Sequence, residues 1–462
     1  MKLLTVMTSP DASQTGSTGV LSLRRRVQSG GFFALGGFGA GQALRLLSNL
    51  ILTRLLVPEA FGLMAVAVSI NVWAVMLTDI GIPSSVIRSR NSDDPDFLRT
   101  AWTMQIGRNF LVWIIIVIAA FVVFMLANAG AFRAGSIFAN PLLPWIMASI
   151  SAQLLITAFA SVNQHLAQRK LAVGRVIALE IGTQLFTMAT TITFAVLGYG
   201  VWALVIGMLA GGAANVIASH FIFAGPMMGF RFKKEYASEI FHFGKWLVIA
   251  SFFGFLVNRG DQVLFGGLMT GDRFSLYAIA SIWIVAAATV METIISRIFY
   301  PAFSEILRDR PQDLTQAYRK TRLLIDGAAI ALAFGAFFFA EFAFSIIYPG
   351  NYAGVGYFVK LLSPFLLMMP FRLINTAVLA AGDSRNFTAI TVLAGISMLV
   401  VTPTVFHLFG ERAAVVSFAA IEMVALPIIW RQGAKRINFD MLTEGRALFA
   451  LAFLLSLIFA TG

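Results

Sequence analysis

The chain is 462 residues long, 58% hydrophobic and only 12% charged, with a net charge of +12 and no cysteine. Soluble domains are roughly 25% charged, so a chain this apolar cannot cover itself with a water-compatible surface. Disulfides, thiolate metal sites and cysteine nucleophiles are excluded, and the excess positive charge lacks the basic-aromatic modules that would make nucleic acid a partner.

Residues 1–30 are polar, rich in Ser, Thr and Gly, and end in Arg24, Arg25 and Arg26. Their apolar stretch is too short for a secretory signal, and the segment reads as a flexible cytoplasmic tail. Long apolar blocks follow. A membrane β-barrel would show alternating segments of roughly ten residues instead, so the blocks read as helices. Crossing the hydrocarbon takes about 20 helical residues. Six blocks meet that length in an N-lobe over 31–224: 31–52, 61–82, 106–126, 142–162, 173–197 and 201–223. A polar amphipathic connector occupies 225–245. Six more blocks form a C-lobe over 246–430: 246–269, 275–295, 323–347, 356–380, 387–409 and 413–430. The remainder, 431–462, is a basic segment plus a short apolar helix. Its apolar part, 447–461, would be roughly 22 Å long against a core of about 30 Å. It fits a short thirteenth span, an interfacial helix or a re-entrant piece. The expected fold class is an all-α polytopic membrane protein of about twelve transmembrane helices in two six-helix lobes.

Lys and Arg are retained on the cytoplasmic side of spans. The set of loops that includes the N-terminus holds 25 of them, among them Arg88, Arg169, Lys233, Arg308 and Arg431. The opposite set holds four: Arg54, Arg133, Arg273 and Arg412. Adding or losing one span would scramble that bias, so it supports the span count and a cytoplasmic N-terminus.

The sequence also repeats at an offset of 213 residues. Leu55, Glu59, Phe61, Leu63, Ala65 and Ala67 meet Leu268, Asp272, Phe274, Leu276, Ala278 and Ala280. Both copies fall between the first and second span of a lobe. Six spans separate them, an even number, so the repeat is parallel, about an axis along the membrane normal. Transporters built this way hold substrate between the lobes and rock one against the other.

Charges inside spans cost about 2.5–3.5 kcal/mol each and therefore mark cavities or pairs. Arg45 lies near the middle of the first span. Arg259 lies near the middle of the seventh, with Asn258 before it and Asp261 after. In the repeat register Arg45 faces Asn258. Two arginines at matching depth would make a positive cavity for an anion, and a guanidinium fork suits phosphate oxygens. The alternative is an Arg259–Asp261 ion pair with Arg45 satisfied by helix carbonyls. Arg372 follows Pro364 and Pro370, which permit a kink; it either binds substrate or snorkels. Asp79, Glu180, Glu292 and Asp326 lie near the cytoplasmic face and either pair with loop arginines or couple transport to protons or sodium. Glu422, mid-span, is the better coupling candidate. No other cofactor is expected. Gly36, Gly37, Gly39 and Gly41, just before Arg45, suit close packing or a hinge.

The run Asn49-Leu50-Ile51-Leu52-Thr53-Arg54-Leu55-Leu56-Val57-Pro58-Glu59-Ala60-Phe61-Gly62 resembles the opening signature of the polysaccharide transporter (Wzx-type oligosaccharide flippase) family. Asp79-Ile80-Gly81 resembles that family's end of the second span, and Phe243-Gly244-Lys245-Trp246 the start of its second lobe. The resemblance implies the multidrug/oligosaccharidyl-lipid/polysaccharide exporter fold, two lobes in a V around a cationic cavity. It implies an inner-membrane flippase that moves a polyprenyl-diphosphate-linked oligosaccharide to the outer leaflet by alternating access, for exopolysaccharide, O-antigen or capsule. Polysaccharide polymerase and export machinery would be its partners. Arg45 and Arg259 would meet the diphosphate, and Arg54 would fix the turn or gate the outer side. A multidrug or cation exporter of the same fold is the alternative, disfavoured by the positive mid-membrane charges. An enzyme is not expected: the outer loops are short, and 127–141 holds one Arg and no acid or His.

Overall fold

The structure is a computed structural model that describes residues 36–169, 173–380, 384–433 and 441–460. The expected tail and the basic stretch 434–440 lie outside the described residues. Every regular element among them is helical, the one open-chain solution that satisfies backbone polar groups within each segment in lipid.

Helix α1 covers 36–52. Then come α2 (Pro58–Leu77), the short α3 (Ile82–Arg88), α4 (Pro95–Asn128) and α5 (Leu143–Ala158). The short α6 (Asn163–Arg169), α7 (Val173–Val196) and α8 (Val201–Ile222) complete the N-lobe. The C-lobe opens with α9 (Lys234–Leu268) and α10 (Gly271–Ile294). It continues through α11 (Tyr300–Asp309), α12 (Leu314–Ile347), α13 (Val355–Leu362), α14 (Met369–Ala380) and α15 (Ser384–Ala419). It ends in α16 (Leu426–Gly433) and α17 (Met441–Ala460). Among the described residues eight helices are long and apolar enough to cross a membrane, nine if the pair α5–α6, bent by 67°, is one span. Helices α1 and α9, and the segment from Gly410 through α16, supply the rest of the expected twelve. Rings such as Phe121, Phe221, Phe339 and Phe449 are exposed. In a bilayer that surface faces lipid.

The repeat is visible in the backbone. Helix α2 begins at Pro58 and α10 at Gly271, 213 residues on. Helices α4 and α12 are both 34 residues long. The two copies also touch at equivalent positions: a Cβ on Gly62 would lie 2.2 Å from Ser275 Oγ, and Ser275 is Gly62's partner in the repeat. Gly62 is therefore fixed by close approach of α2 to α10 at the junction of the lobes.

That junction lies on the face opposite the basic loops. Tyr348 OH donates to Asn49 Oδ1 (2.6 Å) and Tyr352 OH to Leu56 O (2.6 Å). Trp283 Nε1 donates to Tyr348 OH (2.8 Å), and the Gly271 N–H to Gly135 O (2.7 Å). Buried Leu56, Leu63, Phe274 and Tyr277 fill the space between. Three of the four arginines expected on this face are held there. Arg133 donates to Leu268 O, Arg273 binds Glu411 (2.6 Å), and Arg412 reaches Ile458 O. Arg54 is exposed in the turn between α1 and α2.

Two elements differ from expectation. The connector is not a separate amphipathic piece along its length, because its second half is the start of α9, continuous to Leu268. That start is bound to the N-lobe: Glu239 accepts from Ser89 Oγ (2.6 Å) and Asn91 Nδ2 (3.0 Å), Lys233 pairs with Asp96 (2.7 Å), and Tyr236 OH bonds Asp94. The last helix is longer than 447–461: α17 has 20 residues, about 30 Å, the thickness of the hydrocarbon core. It starts beside Tyr318, whose hydroxyl donates to Glu444 (2.7 Å), and ends where Arg412 reaches Ile458. Its ends are thus tied to opposite faces of the protein, as a thirteenth span requires.

The prolines act as expected. The block 356–380 is broken into α13, a 3-10 segment Ser363–Met368 and α14. Pro364 cannot donate to Lys360 O; Ser363 Oγ bonds that carbonyl instead (2.7 Å).

Candidate functional site

Each lobe contains a cavity. The N-lobe cavity, about 540 Å³, lies among α1, α5, α7 and α8. Helix α1 gives it Gln42, Arg45 and Ser48; α5 gives Gln153 and Thr157; α7 gives Glu180, Gln184, Thr187 and Thr191; α8 gives Asn215. Small residues hold these helices together. Gly37 packs on Ile177, where a Cβ would come within 2.4 Å. Gly207 and Gly211 of α8 take Thr191 and Thr187, with Cβ positions 1.8 and 1.9 Å from their hydroxyls. This is a small-xxx-small contact of membrane helices. Gln184 Nε2 donates to Gly41 O (3.0 Å), joining α7 to α1. Of the glycines before Arg45, Gly37 therefore serves packing, whereas Gly36 and Gly39 face open space.

Arg45 is exposed to this cavity. Among the described residues it has no hydrogen-bond or ion-pair partner. Gln184 marks the level of Gly41, and Arg45 lies one turn beyond it while Glu180 lies one turn before. The two charges are thus roughly 12 Å apart along the helix axes, too far to neutralise each other directly.

The C-lobe cavity, about 430 Å³, is built differently. Arg372 of α14 projects into it but is held by two carboxylates. Glu422 receives Nε at 3.2 Å on both oxygens and also bonds Nη2, while Glu292 of α10 receives Nη1 at 3.0 Å. The guanidinium also sits 5.5 Å from the centre of the Phe365 ring. Arg372 thus neither snorkels nor stands free as a cation, and Glu422 and Glu292 serve it rather than loop arginines. The kink at Pro364 and Pro370 places it there. With two acids for one base, this cavity is negative.

Arg259 is exposed on α9 beside a recess of about 20 Å³ that Asp261 and Tyr277 also line. Asp261 is buried, accepting from Tyr277 OH (2.6 Å) and Gln262 Nε2 (2.7 Å). Among the described residues no Arg259–Asp261 ion pair forms. Asn258 lies on α9, with its side chain outside the described residues. The N-lobe cavity is lined by Arg45 and the α9 recess by Arg259, so the two arginines stand at different sites in this conformation. Asp79 closes a turn, its Oδ1 accepting from the Gly81 N–H (3.0 Å), and Gly81 takes the left-handed conformation (φ 64°) that turn needs. Asp326 does pair with an arginine: Arg322 Nε lies 2.8 Å from its Oδ1. Arg322 is wholly buried, with Glu444 at 3.4 Å and Phe371 4.8 Å beneath its guanidinium.

A family model described as polysaccharide biosynthesis protein matches residues 51–355. The chain belongs to that family. It is 22% identical over 292 residues to the lipopolysaccharide biosynthesis protein WzxC of Escherichia coli (strain K12), covering 63% of this chain. The chain spans 56% of the length of that relative. Its fold is that of the MOP transporters, the multidrug/oligosaccharidyl-lipid/polysaccharide exporter superfamily. An inward-facing multidrug resistance MATE family transporter superposes with a TM-score of 0.64 at 15% identity, over 86% of this chain and 94% of its own. The lipid II flippase MurJ, in an inward closed conformation, gives 0.63 at 12% identity, over 93% and 99%. This family member is accordingly an integral membrane protein of two repeated lobes.

The Arg372–Glu422–Glu292 cluster and the threonine-glycine contact of α7 with α8 were not read from the sequence. The second had a signal, Gly207-Met-Leu-Ala-Gly211 opposite threonines spaced by four.

Proposed function

We propose that the protein is a flippase carrying a polyprenyl-diphosphate-linked oligosaccharide from the cytoplasmic to the outer leaflet of the inner membrane, for export of exopolysaccharide, O-antigen or capsule. The observation that carries this reading is Arg45: a guanidinium at mid-span, without a partner among the described residues, in a polar cavity, in a member of the polysaccharide biosynthesis family. A cation kept without a partner inside a membrane lobe is expensive, and an anion that visits the cavity accounts for it. The diphosphate meets Arg45 on the N-lobe and Arg259 on the C-lobe, and the lipid tail stays in the bilayer. The WzxC relative and the lipid II flippase neighbour support a lipid-linked substrate. The basic loops face the cytoplasm, together with the N-terminus, so the lobes in this structure are sealed on the outer side. The protein needs no bound cofactor. If a proton or sodium gradient drives the cycle, Glu422 is the acid through which it acts.

The negative C-lobe cavity favours a second reading, a multidrug or cation exporter of the same fold. One comparison separates the two. Polyprenyl-linked intermediates and surface polysaccharide are measured in cells lacking the protein. Accumulated diphosphate-linked oligosaccharide with loss of surface polymer is the expected result. Normal lipids and normal polymer, with increased sensitivity to cationic compounds, would replace the flippase reading by the exporter.

A further inference from the structure

The N-lobe cavity holds more polar groups than a diphosphate needs. Gln42, Ser48, Gln153 and Asn215 line it half-buried. Among the described residues none of their side chains has a protein hydrogen-bond partner. Thr187 and Thr191 donate inward to the helix, to Thr183 O and Thr187 O, each at 2.8 Å. Both hydroxyls are turned onto Gly211 and Gly207 of α8, so they hold the wall of the cavity together and leave its polar reading to the amides. The amides offer both donors and acceptors. These side chains are half-buried and open to the cavity, so a ligand can take the hydrogen bonds they do not make to protein. Three amides that face one cavity and, among the described residues, have no protein partner are complementary to a ligand dense in neutral hydroxyl and acetamido groups. The volume, about 540 Å³, lies within the range of about 300–1,000 Å³ typical of small-molecule sites.

We infer that this cavity is a subsite for the uncharged sugar residues of the transported glycan, read by Gln42, Gln153 and Asn215. Arg45, at the same depth, holds the adjoining diphosphate. The inference rests on the flippase reading above. It adds that sugar identity is read within the N-lobe, whereas the charge-locked C-lobe cavity contacts no sugar.

The test uses the whole protein in its own cells, so the native glycan is the probe. The photo-crosslinker p-benzoyl-phenylalanine is placed at Gln153, at Thr376 in the C-lobe cavity and, as a control, at lipid-facing Phe338. After irradiation the purified protein is digested, and adducts are examined by mass spectrometry for sugar fragment ions. Sugar-bearing adducts at Gln153 but not at Thr376 or Phe338 are expected. Sugar adducts at Thr376 alone, or a sugar-free phosphate lipid at Gln153, would overturn the subsite and leave the flippase reading standing. No sugar at any position, in cells whose surface polymer survives loss of the protein, would sink both. A second measurement guards against a crosslinker that disturbs the helices. The double variant Gln153→Leu/Asn215→Leu should lower export on the order of tenfold at unchanged abundance in the membrane. Undiminished export by that variant would overturn the subsite.

Discussion

The two lobes share a backbone plan and treat charge in opposite ways. In the N-lobe Arg45 stands in a polar cavity, without a partner among the described residues. In the C-lobe Arg372 is closed off by Glu422 and Glu292, and Arg322 by Asp326 and Glu444, while Arg259 stays exposed on α9 outside that cavity. A duplicated fold needs to keep only helix lengths and the close approaches at the pseudo-axis, such as Gly62 on Ser275. The interior of each lobe is free to diverge. The N-lobe cavity has kept polar groups available to a ligand, and the C-lobe cavity has spent its charges on one another.

The largest expected difference follows directly. Arg322→Met takes from buried Asp326 and Glu444 the guanidinium that pairs with both. Breaking such a cluster costs about 3–5 kcal/mol, visible as a lowered midpoint of thermal unfolding in detergent. Arg45→Ala removes no partner and should change stability within about 0.5 kcal/mol, yet abolish transport, as should Arg259→Ala. Normal transport by both of these variants would sink the diphosphate sites, and equal destabilisation by Arg322→Met and Arg45→Ala would erase the contrast between the lobes.

Within the C-lobe cavity the acids are unequal, because Glu292 is 52% exposed and Glu422 only 16%. Glu422→Gln should therefore destabilise by about 1–3 kcal/mol and Glu292→Gln by less. If the cluster couples transport to protons, Glu422→Gln will also flatten the dependence of export on the proton gradient. Retained gradient dependence would move the coupling elsewhere.

The seal between the lobes gives a smaller effect. Tyr348→Phe removes the hydroxyl that joins Asn49 to Trp283, worth about 0.5–1.5 kcal/mol. The outward-open population should then rise about two- to tenfold. The chain has no cysteine, so a single Ser48→Cys reports this as faster labelling by an impermeant thiol reagent from outside. Unchanged labelling would show that the seal is held by the apolar packing around it.

The legible and illegible parts of the molecule divide along sequence distance. Span length, the loop arginines and the proline kink are local signals, and each was readable. The register of the repeat was readable too, since Leu55 and Phe61 recur at Leu268 and Phe274. The C-terminal helix was underestimated because Met441–Arg446 looks polar; Glu444 is inside only because Tyr318 and Arg322 meet it from a distant helix. Glu422 was expected to couple transport and Arg372 to bind substrate. Composition alone gave no reason to pair two residues 50 positions apart, and the pairing neutralises the arginine that looked available. The mid-span position of Arg45 is a local signal, whereas its lack of a partner among the described residues is a long-range fact that the sequence left open.

The smallest effect concerns the start of α9, which ties the C-lobe's first helix to the N-lobe. Tyr236 OH and the Asp96 N–H both donate to Asp94 and hold its carboxyl below the ordinary carboxylate value. A depressed carboxylate stabilises the fold fully above its unfolded value, roughly pH 3.9. The contribution is lost as pH falls through the lower folded value. The wild type should therefore lose thermal stability between about pH 4 and pH 3 more steeply than Asp94→Asn, and the two should run parallel near neutrality with a small constant offset. Since these groups are solvent-screened, the difference is a fine test. Parallel curves down to pH 3 would show that the tie of α9 to the N-lobe rests on Lys233–Asp96 and on Glu239 with Ser89 and Asn91. In that case, the link between the lobes would be set by α9's outer contacts and not by the tyrosine.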